Sequence, residues 1–342
     1  MSITPAGPPD GSPPAPRPAS RPATLAHRAE YYALRATVAA LGAMPWDMAS
    51  NFGARLGLLG YRPLGIRRGV VEEQIARSFP DLDAAGVARI ARGAYESLGR
   101  TTVETAILPG AGRERVLDLF TQVDGWEVVE QALSLGRGLI LVAGHLGNWE
   151  LGGAYLAARG LPLDAIARGQ GNPLFDRYLT DTRTRIGIRV VHDQQAVRLT
   201  PRALRQQHTV AFMMDQGVLG LASTWVPFFG RPAKTPRGPA VFALRLKVPV
   251  VFAAAVRGSD GRFQLGFERV PVVDTGDREA DVDRIVADYT AVLERWVRRF
   301  PEQYFWHHRR WKHQPPGASS GTALAPGQSM DVESVGPMAG EG

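Results

Sequence analysis

Four short apolar runs, GLILVA (138–143), LDAIAR (163–168), IRVVH (188–192) and TVAFMM (209–214), are separated by stretches of helical period. Each is too short for a helix and partly β-branched, so each is expected to be a strand. Strands alternating with helices give a sheet buried on both faces. After TWVPFFGRPAKTPRG (224–238), the runs ALRLKVPVVFAAAVRG and RFQLGFERVPVV read as a helix and two strands, the strands antiparallel through the turn GSDG (258–261). The expected fold class is α/β, with a central mixed, mostly parallel sheet flanked by helices.

The first third reads differently. Apolar spacing is helical from Gly69 to Phe79 and from Asp83 to Thr105, with Pro80 breaking the two and Asp83 as the N-cap. Asp281 to Phe300 is amphipathic, with Val282, Ile285, Val286, Tyr289, Leu293, Trp296 and Val297 on one stripe. The two ends are rich in Pro, Ala, Gly and Ser. The expected organisation is a disordered tail over 1–24, a helical, membrane-proximal layer over 25–110, an α/β domain over 111–314, and a second disordered tail over 315–342.

Arg35, Pro45, Asp47 and Arg55 interrupt the early apolar segment, so no clear spanning helix is expected. Its mixture of small, apolar, aromatic and arginine residues suits a helical hairpin lying in a membrane interface. An ordinary core-packing helix pair is the alternative. The chain of 342 residues has no cysteine, which excludes thiol catalysis, and carries a formal charge of +7, which favours anionic partners. Nucleic-acid-binding signatures are missing, so phosphorylated substrates and anionic lipids remain.

In LILVAGHLGNWELGG, residues 139–153, His145 falls at the carboxyl end of a strand, where open α/β sheets place their ligands. Glu150 falls in the first turn of the next helix, where the dipole favours a carboxylate. If the turn folds back, Glu150 orients the imidazole and His145 is a general base for a hydroxyl. Otherwise the two are a satisfied strand-end histidine and a helix N-terminal acid. Backbone N–H groups of Gly144, Gly147 or Asn148 are candidate oxyanion donors. The histidines of YFWHHRRWKH lack an accompanying acidic set, so no metal and no cofactor is expected.

GHLGNWE resembles the His-x4-Asp/Glu motif of the glycerolipid acyltransferase superfamily, and HLGNWELGG looks like its lipid A late (lauroyl/myristoyl) acyltransferase branch. ARGQGNPLFDRYLTDTRTRIG, MMDQG, VPFFG, TPRG and PEQYFWHHRRWK resemble further blocks of that branch, in the same order. The resemblance covers roughly residues 30–313. It implies transfer of a fatty acyl group from a thioester, on acyl carrier protein or coenzyme A, to a hydroxyl of a lipid A precursor or related anionic glycolipid. It also implies a protein at the cytoplasmic face of the bacterial inner membrane, peripheral or monotopic.

His145 and Glu150 would be the catalytic pair, and Arg168, Arg183 and Arg185 candidate phosphate clamps, with Arg183 matching the family's arginine. Asp215 matches the family's active-site aspartate, orienting Arg183 or the sugar, unless it is only a turn residue. TWVPFFGRPAKTPRG is expected either as an exposed loop lining an acyl groove or resting on lipid, or as a buried connection. Another acceptor, such as a phosphatidylinositol mannoside or a lysophospholipid, and a non-catalytic lipid-binding role are the competing readings.

Overall fold

The computed structural model describes residues 24–217 and 222–315. Apart from Thr24 and Pro315, the two expected tails lie outside the described residues. The N-terminal layer consists of α1 (Leu25–Gly42), α2 (Trp46–Tyr61), α3 (Arg68–Ser78) and α4 (Ala84–Ile107). Asp83 caps α4, its side chain accepting the Gly86 N–H at 2.8 Å, as its position before the periodic run suggests.

The alternating part follows: α5 (Gly112–Asp118), β1 (Phe120–Asp124), α6 (Trp126–Ser134), β2 (Leu139–Ala143), α7 (Trp149–Ala158), β3 (Leu163–Ala167), α8 (Pro173–Arg185), β4 (Ile188–His192), α9 (Asp193–Arg205) and β5 (Thr209–Met213). Then come a hairpin of β6 (Ser223–Phe228) and β7 (Arg231–Pro236), α10 (Gly238–Leu246), β8 (Val250–Arg257), β9 (Phe263–Val270) and α11 (Arg278–Arg299).

Seven strands form one mixed sheet in the order β1-β9-β8-β2-β5-β3-β4. The run from β8 through β4 is parallel; β9 is antiparallel to β8 and β1 is parallel to β9. The α/β class and the antiparallel β8–β9 pair therefore agree with the sequence pattern. β2 lies at the sheet's centre, and Leu139 to Val142 are buried on both faces. Its even positions, Ile140 and Val142, join a core with α10, α11 and the N-terminal residues Val71, Ile75, Ile90 and Tyr95. Its odd positions, Leu139 and Leu141, face α7 and join Leu151, Leu156, Val251 and Phe263. The helical layer thus shares its core with the sheet.

Of the two readings of TWVPFFGRPAKTPRG, the structure follows the buried one, as the β6–β7 hairpin rather than an exposed loop, with Trp225, Val226, Phe228 and Phe229 buried. Helix α2 packs in an unusual way. A Cβ at Gly57 would lie 1.9 Å from the Tyr95 carbonyl oxygen, and one at Gly53 2.5 Å from that of Gly99. Only glycine allows α2 and α4 to approach backbone to backbone. Among the described residues no helix is long and apolar enough to cross a membrane.

Candidate active site

Strands β2 and β5 are parallel neighbours, with Ala143 beside Met213. Two residues beyond that pair, each strand delivers one polar residue: His145 from β2 and Asp215 from β5. His145 Nδ1 lies 2.7 Å from Asp215 Oδ1, and the His145 backbone N–H donates to Asp215 Oδ2 at 2.8 Å. Holding Asp215 through both oxygens fixes ring and backbone together. With the carboxylate accepting from Nδ1–H, the neutral imidazole keeps its lone pair on Nε2.

Asp215 is buried. Burial alone pushes its pKa up, but the charge of His145, its two hydrogen bonds and the more distant Arg310 outweigh that and hold it down at about 2. The Tyr304 hydroxyl also faces Asp215; burial first, then the carboxylate's charge, push its pKa well above the ordinary value, so it stays protonated. Arg310 is buried too, donating to the Lys234 carbonyl and to Thr235 Oγ1, both at 2.6 Å. It serves as interior scaffolding.

The expected hydrogen bond between His145 and Glu150 is not what holds the imidazole. Asn148 caps α7, its side-chain oxygen accepting the Leu151 N–H at 3.0 Å, and the first helical turn directs Glu150 toward α8. There Glu150 receives a two-pronged contact from Arg183: Nε at 3.0 Å and a terminal guanidinium nitrogen on the other oxygen. Burial works against the Arg183 charge, but Glu150 and then Asp176 outweigh it and raise its pKa. The Asn-Pro-Leu block explains how Arg183 arrives. Asn172 caps α8, with Pro173 as its first residue, and Arg183 lies in the last turn.

The oxyanion assignment to Gly147 and Asn148 also changes. The Gly147 N–H donates to the Gln303 carbonyl and the Asn148 N–H to the Ala255 carbonyl, both at 2.9 Å, so both are engaged in holding the loop to the sheet. Gly147 has φ of 63°, and a Cβ there would meet the Ala255 oxygen at 2.0 Å. One side-chain donor lies close to the imidazole: Gln216 Nε2 is 3.5 Å from His145 Nε2.

Several positioning residues carry no sequence signal. Glu104 on α4 is fully buried and accepts from Ser50 Oγ at 2.5 Å, from Asn148 Nδ2 at 2.9 Å and from Arg257. Thr101 Oγ1 donates to the Gly147 carbonyl at 3.0 Å. The helical layer therefore holds the loop that carries His145. A helix-interior Glu or Thr reads as ordinary surface, and only the third dimension reveals this contact.

His145, Glu150, Arg183, Gln216 and Arg168 line a cavity of about 630 Å³, within the usual range of roughly 300–1,000 Å³ for ligand pockets. Arg168 is exposed, whereas Arg185, two residues past Arg183, points to solvent and does not line it. Away from the polar groups the cavity runs between α7 and the sheet. Its apolar walls mix small residues, Ala143, Ala165, Ala211, Gly152 and Gly153 among them, with large ones such as Leu163, Ile188 and Leu265. Small residues at core positions leave unfilled apolar space where larger ones would have closed the packing. Among the described residues no group of three or more His, Asp or Glu is arranged to hold a metal ion.

A family model described as bacterial lipid A biosynthesis acyltransferase matches residues 21–313. The lipid A biosynthesis palmitoleoyltransferase of Escherichia coli K12 is 26% identical over 280 residues, covering 81% of this chain and 89% of the relative. The lauroyltransferase of the same strain is 26% identical over 282 residues, with the same coverage. A phosphatidylinositol mannoside acyltransferase of Mycobacterium tuberculosis H37Rv is 26% identical over 230 residues, covering 65% of this chain and 67% of the relative. The chain belongs to the bacterial lipid A biosynthesis acyltransferase family, a family of O-acyltransferases.

Proposed function

We propose that this protein moves a fatty acyl group from an acyl carrier protein thioester to a hydroxyl of a lipid A precursor or related anionic glycolipid. The observation that carries this reading is a His145–Asp215 pair opening onto one cavity that Arg183 also lines and whose remaining lining is largely apolar. An acyl chain fits the apolar part, and the polar end suits a phosphorylated acceptor.

In this reading His145 Nε2 takes the proton of the acceptor hydroxyl as its oxygen attacks the thioester carbonyl. Asp215 keeps the ring in the required tautomer and stabilises the imidazolium that forms. The tetrahedral oxyanion lies near Gln216 and Arg183 as donors. Collapse breaks the C–S bond, and the departing thiolate takes the proton back from the imidazolium. Glu150 acts through Arg183, holding the guanidinium fork at the cavity wall; Arg168 meets anionic groups at the mouth. No enzyme-bound acyl intermediate is required.

The formal charge of +7 suits both an acidic carrier and an anionic lipid surface. We place the protein peripherally at the cytoplasmic face of the inner membrane. Expression in a strain lacking one secondary lipid A acyl chain, followed by lipid mass spectrometry, tests the acceptor. Gain of one acyl mass on lipid A supports the proposal; no gain there, with a new acylated glycolipid elsewhere, selects a different acceptor such as the phosphatidylinositol mannoside used by the mycobacterial relatives' named activity.

A further inference from the structure

Among the described residues, nine of the twelve exposed large hydrophobic side chains lie between Leu25 and Ile66, so exposed apolar surface concentrates on the N-terminal hairpin. Within it Met48, Phe52, Leu56 and Leu59 recur at spacings of four, four and three along α2, forming one stripe. They are 41–58% exposed, and the turn after α2 adds Leu64 and Ile66 at 66% and 54%. An ordinary surface helix turns such a stripe toward the core. Here the inner face is Gly53 and Gly57, pressed against the α4 backbone, which forces the large side chains outward.

Charge identifies the occupant. From Met48 to Val71 the chain holds four arginines and no acidic residue. Arg67 turns its guanidinium to the His307 carbonyl at 3.0 Å and Arg68 pairs with Glu72, so Arg55 and Arg62 are the ones exposed beside the stripe. A second copy of this chain packed symmetrically on that face would bring like charges together. Phosphate headgroups neutralise the same arginines while acyl chains receive the apolar side chains.

We infer that the outer face of α2, with the turn that follows it, is a docking surface for a bilayer leaflet rich in anionic phospholipid. The protein rests on the membrane through this face rather than crossing it. Docking there places the bilayer one helix layer from the catalytic loop: α2 lies on α4, and α4 holds Asn148 and Gly147 through Glu104 and Thr101. Helix α1 continues the layer to α8, which carries Arg183, through a hydrogen bond of 2.8 Å from Asn172 to Glu30.

This inference deepens the proposal of a membrane-borne acceptor, but its test contains neither acyl donor nor acceptor, so the two fail separately. The full chain is sedimented with vesicles of phosphatidylglycerol and phosphatidylcholine, and with phosphatidylcholine alone. Wild type should bind the anionic vesicles at least tenfold more tightly. The double substitution Phe52→Asp, Leu56→Asp should weaken that binding by about 100-fold, and Arg55→Glu, Arg62→Glu should remove most of the preference for anionic lipid. Both pairs lie on the surface outside the cavity, so circular dichroism and acyl transfer to a detergent-dispersed acceptor should match wild type. Wild-type binding by the aspartate variant, or equal binding to both lipids, would overturn the inference. So would a concentration-dependent dimer that the aspartate pair dissolves, with no vesicle binding by wild type.

Discussion

His145 and Asp215, seventy residues apart in sequence, are joined twice: ring nitrogen to one carboxylate oxygen at 2.7 Å, backbone N–H to the other at 2.8 Å. The parallel register of β2 and β5 sets this pairing, because both residues stand two positions past the Ala143–Met213 pair. Asp215→Asn would keep the shape but lose the charge that stabilises the imidazolium. The expected result is a fall in kcat of about 10³-fold with a near-native circular dichroism spectrum. Because the folded-state pKa is depressed to about 2 from 3.8, the carboxylate's contribution to stability is complete above the unfolded value and is lost as pH falls through 2. Loss of activity between pH 7 and 5 should therefore not come from Asp215. Wild-type kcat in Asp215→Asn, measured in a purified transfer assay, would remove Asp215 from the mechanism.

Arg183 and Glu150 should behave as a unit. Arg183→Ala is expected to lower kcat/KM by about 10²-fold, and Glu150→Gln by less, since the guanidinium remains but loses its anchor. The double variant should be scarcely worse than Arg183→Ala alone, the signature of one residue acting through the other. Additive losses in steady-state kinetics would show instead that Glu150 touches the substrate independently.

Gly153 lines the apolar part of the cavity, and a Cβ there would stand 3.1 Å from Ile188 Cδ1. Gly153→Val therefore presses on Ile188 and Leu163, which also line the cavity, and narrows it. The variant should accept shorter acyl thioesters with little loss and longer ones at least about tenfold more slowly, since each displaced methylene is worth about 0.8 kcal/mol. Competition between thioesters of different length reads this directly; an unchanged preference would place the chain elsewhere.

His307 is buried against the Tyr95 ring, 4.3 Å between centroids, and burial followed by the Arg67 charge lowers its pKa to about 4. The unfolded chain then binds a proton near pH 6.5 that the folded chain refuses until about pH 4. Stability should fall across that interval as pH drops, by up to about 3 kcal/mol from this group. His308, also lowered to about 4 by burial, adds to the same slope. Urea unfolding of His307→Phe at pH 7.5, 6 and 5 should show a visibly shallower dependence; an unchanged slope would assign the effect to other groups.

The strand-and-helix alternation was legible because buried parallel strands are short apolar runs, and the Asp83 cap because its side chain bonds locally. The β6–β7 hairpin was not, since Pro227, Pro232 and Pro236 argue against strands. Those prolines are tolerated because β6 and β7 pair only with each other, and Pro227 stands opposite Pro232. The site was partly legible. His145, Glu150, Arg183 and Asp215 were all marked, and all lie around one cavity or beside it. Their partnerships were not: sequence spacing couples His145 to Glu150, whereas strand register couples it to Asp215 and a helix cap turns Glu150 to Arg183. Gly147 and Asn148 read as free donors at a helix start, yet a bridge to β8 and the Gln303 carbonyl engages both.

The central claim is that His145 activates an acceptor hydroxyl for attack on a thioester. The most direct measurement is mass spectrometry of a glycolipid acceptor incubated with acyl carrier protein thioester and purified protein, wild type against His145→Ala. Wild type should add one ester-linked acyl chain, and the folded variant should slow that addition by at least about 10³-fold. Transfer by His145→Ala at the wild-type rate would contradict it.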